Sequence, residues 1–372
     1  MKKIIALLFT AIFVFAQTEV IVEPDINDNT TQNQQIQNDT QNEQVEVFDD
    51  NFVSQKVSVN VAVVIDKKKF FKFIPSIMNS INSYFIYKAS NYHIKLFDID
   101  ANLSQITQNY KDIVYITTDK QKIEELKNYD AHFYVPTFNA SDFKTTNQQS
   151  LENNETTANP FEYTEEENSI KQLDNVDFGL IDFKSQVNTL AQYIDDNYAI
   201  AINSKGTIPQ KLLQYESELN IMLDTYDFPN IPYYKLKNHY IFFNTSASKT
   251  AQILAQITYK NIETKLQLAT QIDYDPLLIS ITQPQDVEKL IIANSILNIP
   301  IDLEDTNMNL NSDIRFNWLN YDISILLNKI YNKQTNDDEY YMNDFHVYIF
   351  DHQINYNTKL YQIINGAFKP IQ

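Results

Sequence analysis

Few side chains in this sequence are spaced for covalent or metal chemistry. The histidines are His93, His132, His239, His346 and His352, and no two form an HxxxH or HExxH pair. His346 and His352 lie close to Asp351. On one strand, however, they would sit about 20 Å apart at ~3.3 Å per residue, too far to share an ion. Adjacent carboxylates occur as Asp49-Asp50, Asp195-Asp196 and Asp337-Asp338, in linkers or at helix ends, where solvated charge is expected. Asp273-Tyr-Asp275-Pro276 lacks the Gly and Glu spacing of an EF-hand and reads as the cap of a helix starting at Pro276. With no cysteine, thiol nucleophiles, cysteine-bound zinc, Fe–S clusters and disulfides are excluded. There is no GxSxG elbow, and three glycines leave no room for GxGxxG or a P-loop. No catalytic residue, metal or cofactor is therefore expected, and the chain reads as non-enzymatic.

The remaining chemistry suits the holding of a ligand. Polar residues follow apolar, strand-like runs: Asp66, Thr117, Thr118 and Thr137 in the first half, and Asn203, Asn244, Thr245 and Ser246 in the second. Asn244-Thr-Ser-Ala-Ser248 is the most polar of these ends and precedes a helical pattern. Its hydroxyls can cap that helix, or its free N–H groups can hold an anion. Tyr274 and Tyr321 can stack on an apolar ligand or pack in the core. Arg315 is the only arginine, so bidentate guanidinium clamps are nearly absent. A net charge of -19 argues against nucleic acid, whose phosphates need clustered Lys and Arg.

Elements must bring these polar ends together. The chain has 372 residues, 43% hydrophobic and 13% aromatic, enough for two lobes with a substantial core. Val57–Ile65 is apolar and β-branched, the pattern of a strand buried on both faces. Phe70–Tyr87 has helical spacing. Strands over Tyr92–Ile99, Asp112–Thr117 and Ala131–Pro136 then alternate with helices over Asn102–Tyr110 and Asp119–Asn128. After an interruption, strands at Tyr198–Ile202, Tyr240–Asn244, Lys265–Ala269 and Leu290–Ala293 alternate with helices at Ser185–Asp195, Ile208–Leu219, Ser248–Tyr259 and Pro276–Ser280. This alternation predicts an α/β chain with parallel sheets. A helix over Ile314–Tyr331 and an antiparallel ending follow: Val347–Phe350, Lys359–Ile363 and Ala367–Ile371, the last two joined by Asn365-Gly366.

Two segments read differently from the core. Met1-Lys2-Lys3 followed by the apolar run Ile4–Phe15 and a small residue before Gln17 reads as a secretory signal peptide over 1–16. No cysteine follows it, so a lipoprotein is not expected, and no later run is long enough to span a membrane. Residues 17–55 carry no Lys or Arg and read as a disordered acidic tether. Residues 139–173, with Glu165-Glu166-Glu167, read as an acidic low-complexity insertion. The expected compartment is the periplasm.

The order of elements resembles the type 1 periplasmic binding-protein fold, two similar lobes joined by three crossing strands with a ligand between them. The resemblance rests on Val61-Ala-Val-Val-Ile65, Phe178-Gly-Leu-Ile-Asp182 with Gln186, Glu288–Ser295, Trp318-Leu-Asn-Tyr321 and the closing run from Phe350-Asp351 through Tyr356–Ile363 to Asn365-Gly366-Ala-Phe368. It implies one lobe from 57–138 plus 295–343, a second from 174–292 plus 345–372, and a closing C-terminal hairpin. It also implies a cleft at the C-terminal ends of the parallel strands. There the polar strand ends, Tyr274 and Tyr321 would meet a small polar ligand or a periplasmic protein partner. The family often has Gly and Ser after its third strand; here that place reads Tyr115-Ile-Thr-Thr-Asp119, with no glycine for close backbone approach. The same fold serves penicillin-binding protein activators as a protein-interaction module. The resemblance therefore also implies an envelope interaction factor with a degenerate ligand cleft.

Overall fold

Continuous apolar runs become strands buried along their length. Asp112–Ile116, Tyr240–Asn244 and Leu290–Asn294 are buried at every residue, as parallel strands are when helices cover both faces. The structure, a computed structural model, describes residues 58–143 and 173–371. The expected signal peptide, the acidic tether and residues 144–172 of the insertion lie outside the described residues.

The first sheet runs, edge to edge, Tyr341–Met342, Val347–Phe350, Gln353–Asn355, Val176–Phe178, His132–Val135, Asp112–Ile116, Ser58–Ile65 and Asn91–Asp98. The second runs Ala367–Pro370, Lys359–Ile364, Leu290–Asn294, Gln267–Ala269, Tyr240–Asn244, Tyr198–Asn203 and Met222–Asp227. Each has a parallel centre and antiparallel strands at one end, so the sheets are mixed rather than purely parallel. Helices Ile74–Tyr87, Ile301–Asn309 and Trp318–Thr335 pack together over the first sheet. Phe183–Ala191, Thr207–Ser217 and Ala247–Tyr259 cover the second.

Three chain segments join the lobes, and the structure moves two of the expected boundaries. Val176–Phe178 and Val347–Asn355 belong to the first sheet, not the second lobe. The crossings are therefore Gly179–Asp182, the segment after Asn294, and Tyr356–Thr358. Val347–Phe350 and Lys359–Ile364, expected to run together, sit in different sheets because the third crossing separates them. The closing hairpin pairs Lys359–Ile364 with Ala367–Pro370. Its turn residues Asn365 and Gly366 both have positive φ, 53° and 69°, as a two-residue hairpin turn requires. Asn139–Phe143, expected in the insertion, instead packs inward: Ala140 is buried and Phe143 stacks on Phe178 at 5.1 Å.

The crossings are tied by buried polar groups. Gly179 fits because a Cβ there would lie 2.8 Å from Leu326 and 3.2 Å from the Pro136 backbone. The Tyr356 hydroxyl sits 2.6 Å from both the Gly179 carbonyl oxygen and Asp322 Oδ1. Burial raises the Asp322 pKa well above the carboxylate range. Gln186 Oε1 accepts from the Gln271 N–H at 2.9 Å, and its Nε2 donates to Ser295 Oγ at 2.9 Å. Ser295 Oγ in turn meets Thr358 Oγ1 at 3.2 Å, which links all three crossings.

Candidate functional site

Strand ends and helix starts from both lobes face one cleft of about 650 Å³. The first lobe brings Phe70 and Phe73 after its opening strand, Thr118 after Asp112–Ile116, and Thr137 and Phe138 after His132–Val135. The second brings Thr207, Ile208 and Lys211 from the helix Thr207–Ser217, Ser246 at the start of Ala247–Tyr259, and Gln271, Ile272 and Asp275 beyond Gln267–Ala269. Residues 313–319 close one wall with Asp313, Phe316, Asn317, Trp318 and Leu319. The location is the one that parallel sheets favour, outside the carboxyl ends of their strands.

Packing fixes several of these walls. Trp318 meets Phe183 edge-on at 6.3 Å, and Phe316 lies 5.5 Å from Tyr274 and 6.2 Å from Phe368. Asn317 caps the helix Trp318–Thr335 by accepting from the Asn320 N–H. Phe73 is 53% exposed and Phe70 is buried beneath it in the same short turn. The lining is dominated by aromatic and aliphatic side chains, in contrast to the polar cleft expected from the strand ends.

Of the ten residues singled out in the sequence, Thr118, Thr137 and Ser246 line the cleft. Thr137 donates to the Thr117 carbonyl at 2.6 Å, and Thr118 Oγ1 accepts from Lys69. The others do not line it. Asp66 caps the turn by accepting from the Lys69 N–H, and Thr117 Oγ1 accepts from the Asp119 N–H. Asn244 is buried and donates through Nδ2 to Asn203 Oδ1 and to Glu216 Oε2, each at 2.8 Å. Thr245 pairs with Thr250 at 2.6 Å. Tyr274 packs among Phe316, Tyr361 and Phe368, stacking on Phe368 at 4.2 Å. Tyr321 is fully buried and donates to the Leu297 carbonyl. Polar type at a strand end could not separate hydroxyls facing the cleft from those satisfying backbone behind it. The missed residues, Phe73, Phe138, Ile208 and the stretch 313–319, lie on loops and helix starts, where an apolar side chain looks like ordinary core.

A further set of titratable groups does not line the cleft. Asp177 is buried with Lys329 at 2.6 Å, His132 at 2.7 Å and His352 at 3.2 Å. Burial favours its neutral form, but hydrogen bonds from the two histidines and the Lys329 charge outweigh that and hold it well below the carboxylate range. Asp177 in turn raises His352. In the second lobe, burial pushes Glu216 up to about 8, offset only in part by Asn244. Burial also raises Asp273 well above its ordinary value, offset only in part by Thr250. No histidine lines the cleft. Among the described residues no group of three or more His, Asp or Glu could hold a metal ion, and no helix is long and apolar enough to cross a membrane.

Two lobes, three crossings and a cleft between the sheets define the type 1 periplasmic binding protein-like fold, and solved structures share it. A branched-chain amino acid ABC transporter protein from Thermus thermophilus with bound valine aligns with a TM-score of 0.56 at 10% identity, covering 85% of this chain and 95% of that one. LivJ, the branched-chain amino acid substrate-binding protein of Streptococcus pneumoniae, in complex with isoleucine, aligns at 0.53 and 8% identity, covering 84% and 98%. LpoA of Haemophilus influenzae aligns at 0.51 and 10% identity over 87% of this chain, which spans 60% of that protein's length. No family model matches the sequence, and no curated protein matches it.

Proposed function

We propose that this chain is a non-enzymatic periplasmic binding protein whose interlobe cleft takes a small ligand with an apolar body. The observation that carries the reading is the cleft itself: about 650 Å³, open to both lobes and walled by Phe138, Ile208, Phe316, Trp318 and Leu319. That volume falls in the range of small-molecule sites, which are largely apolar with a few placed polar groups. The polar groups here include Thr118, Thr137, Ser246, Gln271, Asp275 and Asp313. The solved neighbours with bound valine and isoleucine support a ligand between the lobes. The likeness extends to fold alone, so the ligand is argued from this chain's own lining.

A second reading, an envelope protein-interaction factor, is favoured by exposed aromatics outside the cleft. Phe71, Tyr340, Tyr348 and Phe350 are each at least 59% exposed, and none lines the cleft. Thermal unfolding against a panel of amino acids, their amides, short peptides and sugars separates the two. A ligand at 100 times its dissociation constant should stabilise the fold by about 2.7 kcal/mol. The shift should disappear in Ile208→Asp. A panel without effect, together with a partner lost on changing Tyr348 and Phe350 to Ser, would favour the second reading.

A further inference from the structure

The unspent polar groups of the cleft narrow the ligand class, on the reading that the cleft is the binding site. Three basic groups near it are already engaged. Lys211 pairs with Asp142 at 2.6 Å, Lys69 donates to Thr118 Oγ1 at 2.9 Å beside Asp66, and Arg315 gives its guanidinium to Glu304. The two acids on the wall are not. Asp275 accepts from the Leu277 N–H through Oδ1 at 2.8 Å. Asp313 accepts through Oδ1 from the Arg315 and Phe316 N–H groups at 2.8 and 3.0 Å. Arg315 feels the charge of Asp313, but its side chain is held by Glu304. Neither Oδ2 takes a hydrogen bond or ion pair among the described residues.

An independent group on the same wall points to a hydrogen-bonding ligand. Gln271 lines the cleft and is 2% exposed. Its Oε1 accepts from the Ser295 N–H at 2.7 Å, while its Nε2 is buried with no partner. A buried donor left unpaired is costly, and a neutral acceptor on a ligand would satisfy it.

We infer that the cleft takes an apolar molecule bearing a protonated amine and a neutral carbonyl, as in an amino-acid amide, and disfavours a free carboxylate. The ammonium would exchange water for the Asp275 and Asp313 carboxylates and for the faces of Phe316 and Trp318. The carbonyl would accept from Gln271 Nε2. A ligand carboxylate would be desolvated facing two acids, with Lys69, Lys211 and Arg315 already engaged.

Isothermal titration of the full chain with four matched probes tests this: L-phenylalaninamide, L-phenylalanine, N-acetyl-L-phenylalaninamide and N-acetyl-L-phenylalanine. Phenylalaninamide should bind about tenfold tighter than phenylalanine or the N-acetyl amide, with N-acetylphenylalanine the weakest. In the double variant Asp275→Asn with Asp313→Asn, phenylalaninamide should fall to the affinity of the N-acetyl amide. Asparagine caps helices as well as aspartate does, so the fold is expected to survive the change. Equal affinity for phenylalaninamide and phenylalanine would overturn the inference and leave the apolar cleft standing. A preference that persists in the double variant would overturn the role given to the two acids. Absence of binding by all four probes would overturn both the inference and the cleft reading beneath it.

Discussion

Two sets of buried carboxylates, one in each lobe, are handled in opposite ways. In the first, Asp177 is surrounded by Lys329, His132 and His352, and Asp112 by Lys333, Gln334 and the Tyr134 hydroxyl. In the second, Glu216 has only the Asn244 amide, and Asp273 has no ion pair among the described residues. The first set ties strands to the helix Trp318–Thr335, and its ion pairs and hydrogen bonds hold Asp177 well below the carboxylate range. In the second set burial raises both carboxyls above their ordinary range. The acids on the cleft wall are Asp275 and Asp313, separate from Glu216 and Asp273 packed behind it.

The largest effect should come from breaking the charged set. Asp177→Ala leaves Lys329, whose side chain is 11% exposed, without its counter-charge. Removing one partner of a buried pair costs about 3–5 kcal/mol, readable as a lower urea midpoint at pH 7. A loss below about 1 kcal/mol would mean that the cluster reaches water and is no buried staple.

The pH response should differ in sign between Asp177 and Glu216. The folded pKa of Asp177 is depressed, so its stabilisation is present above the ordinary carboxylate value and is lost as pH falls. The folded pKa of Glu216 is raised to about 8, so its contribution is full below its ordinary 4.5 and is lost as pH rises through about 8. Within that window, stability should fall by about 1.4 kcal/mol per pH unit from this group. Glu216→Gln should flatten the slope between pH 5 and pH 8 in urea titrations, whereas an unchanged slope would place the proton elsewhere.

Smaller effects sharpen the account of the crossings and the rim. Tyr356→Phe removes the hydroxyl shared by Gly179 and Asp322, and should cost about 1–3 kcal/mol by chemical unfolding. Phe73→Ser, at an exposed position, should leave the melting temperature within a degree or two of the parent, since surface changes stay near ±0.5 kcal/mol. It should weaken ligand binding a few-fold, which calorimetry would resolve.

The periodicity of the sequence carried most of the fold. Runs such as Val59–Ile65 and Leu290–Asn294 are buried parallel strands, and the helix around Trp318–Tyr331 forms, starting at its Asn317 cap rather than at Ile314. Met222–Asp227 escaped notice because it is a polar edge strand, exposed along most of its length. The short helix Ile301–Asn309 has its acids in the first turn and few buried positions to mark it. Lobe boundaries were misplaced because sequence order does not reveal which sheet a three-residue strand such as Val176–Phe178 or Gln353–Asn355 joins. The site was harder to read than the fold. Asn244 was a ligand candidate at a polar strand end, and only the fold brings Glu216 and Asn203 within 2.8 Å of it. Asp177, His132 and His352 are far apart in the sequence and meet only through strand pairing.

The central claim, that ligand sits in the cleft, has a built-in reporter. Trp318 is the only tryptophan in the chain and lies in the cleft wall. Its emission, excited at the red edge of indole absorption where tyrosine is silent, should change saturably as L-phenylalaninamide is titrated into the full chain. The midpoint should match the calorimetric dissociation constant. Binding heat without any change in Trp318 emission would place the ligand elsewhere and contradict the account.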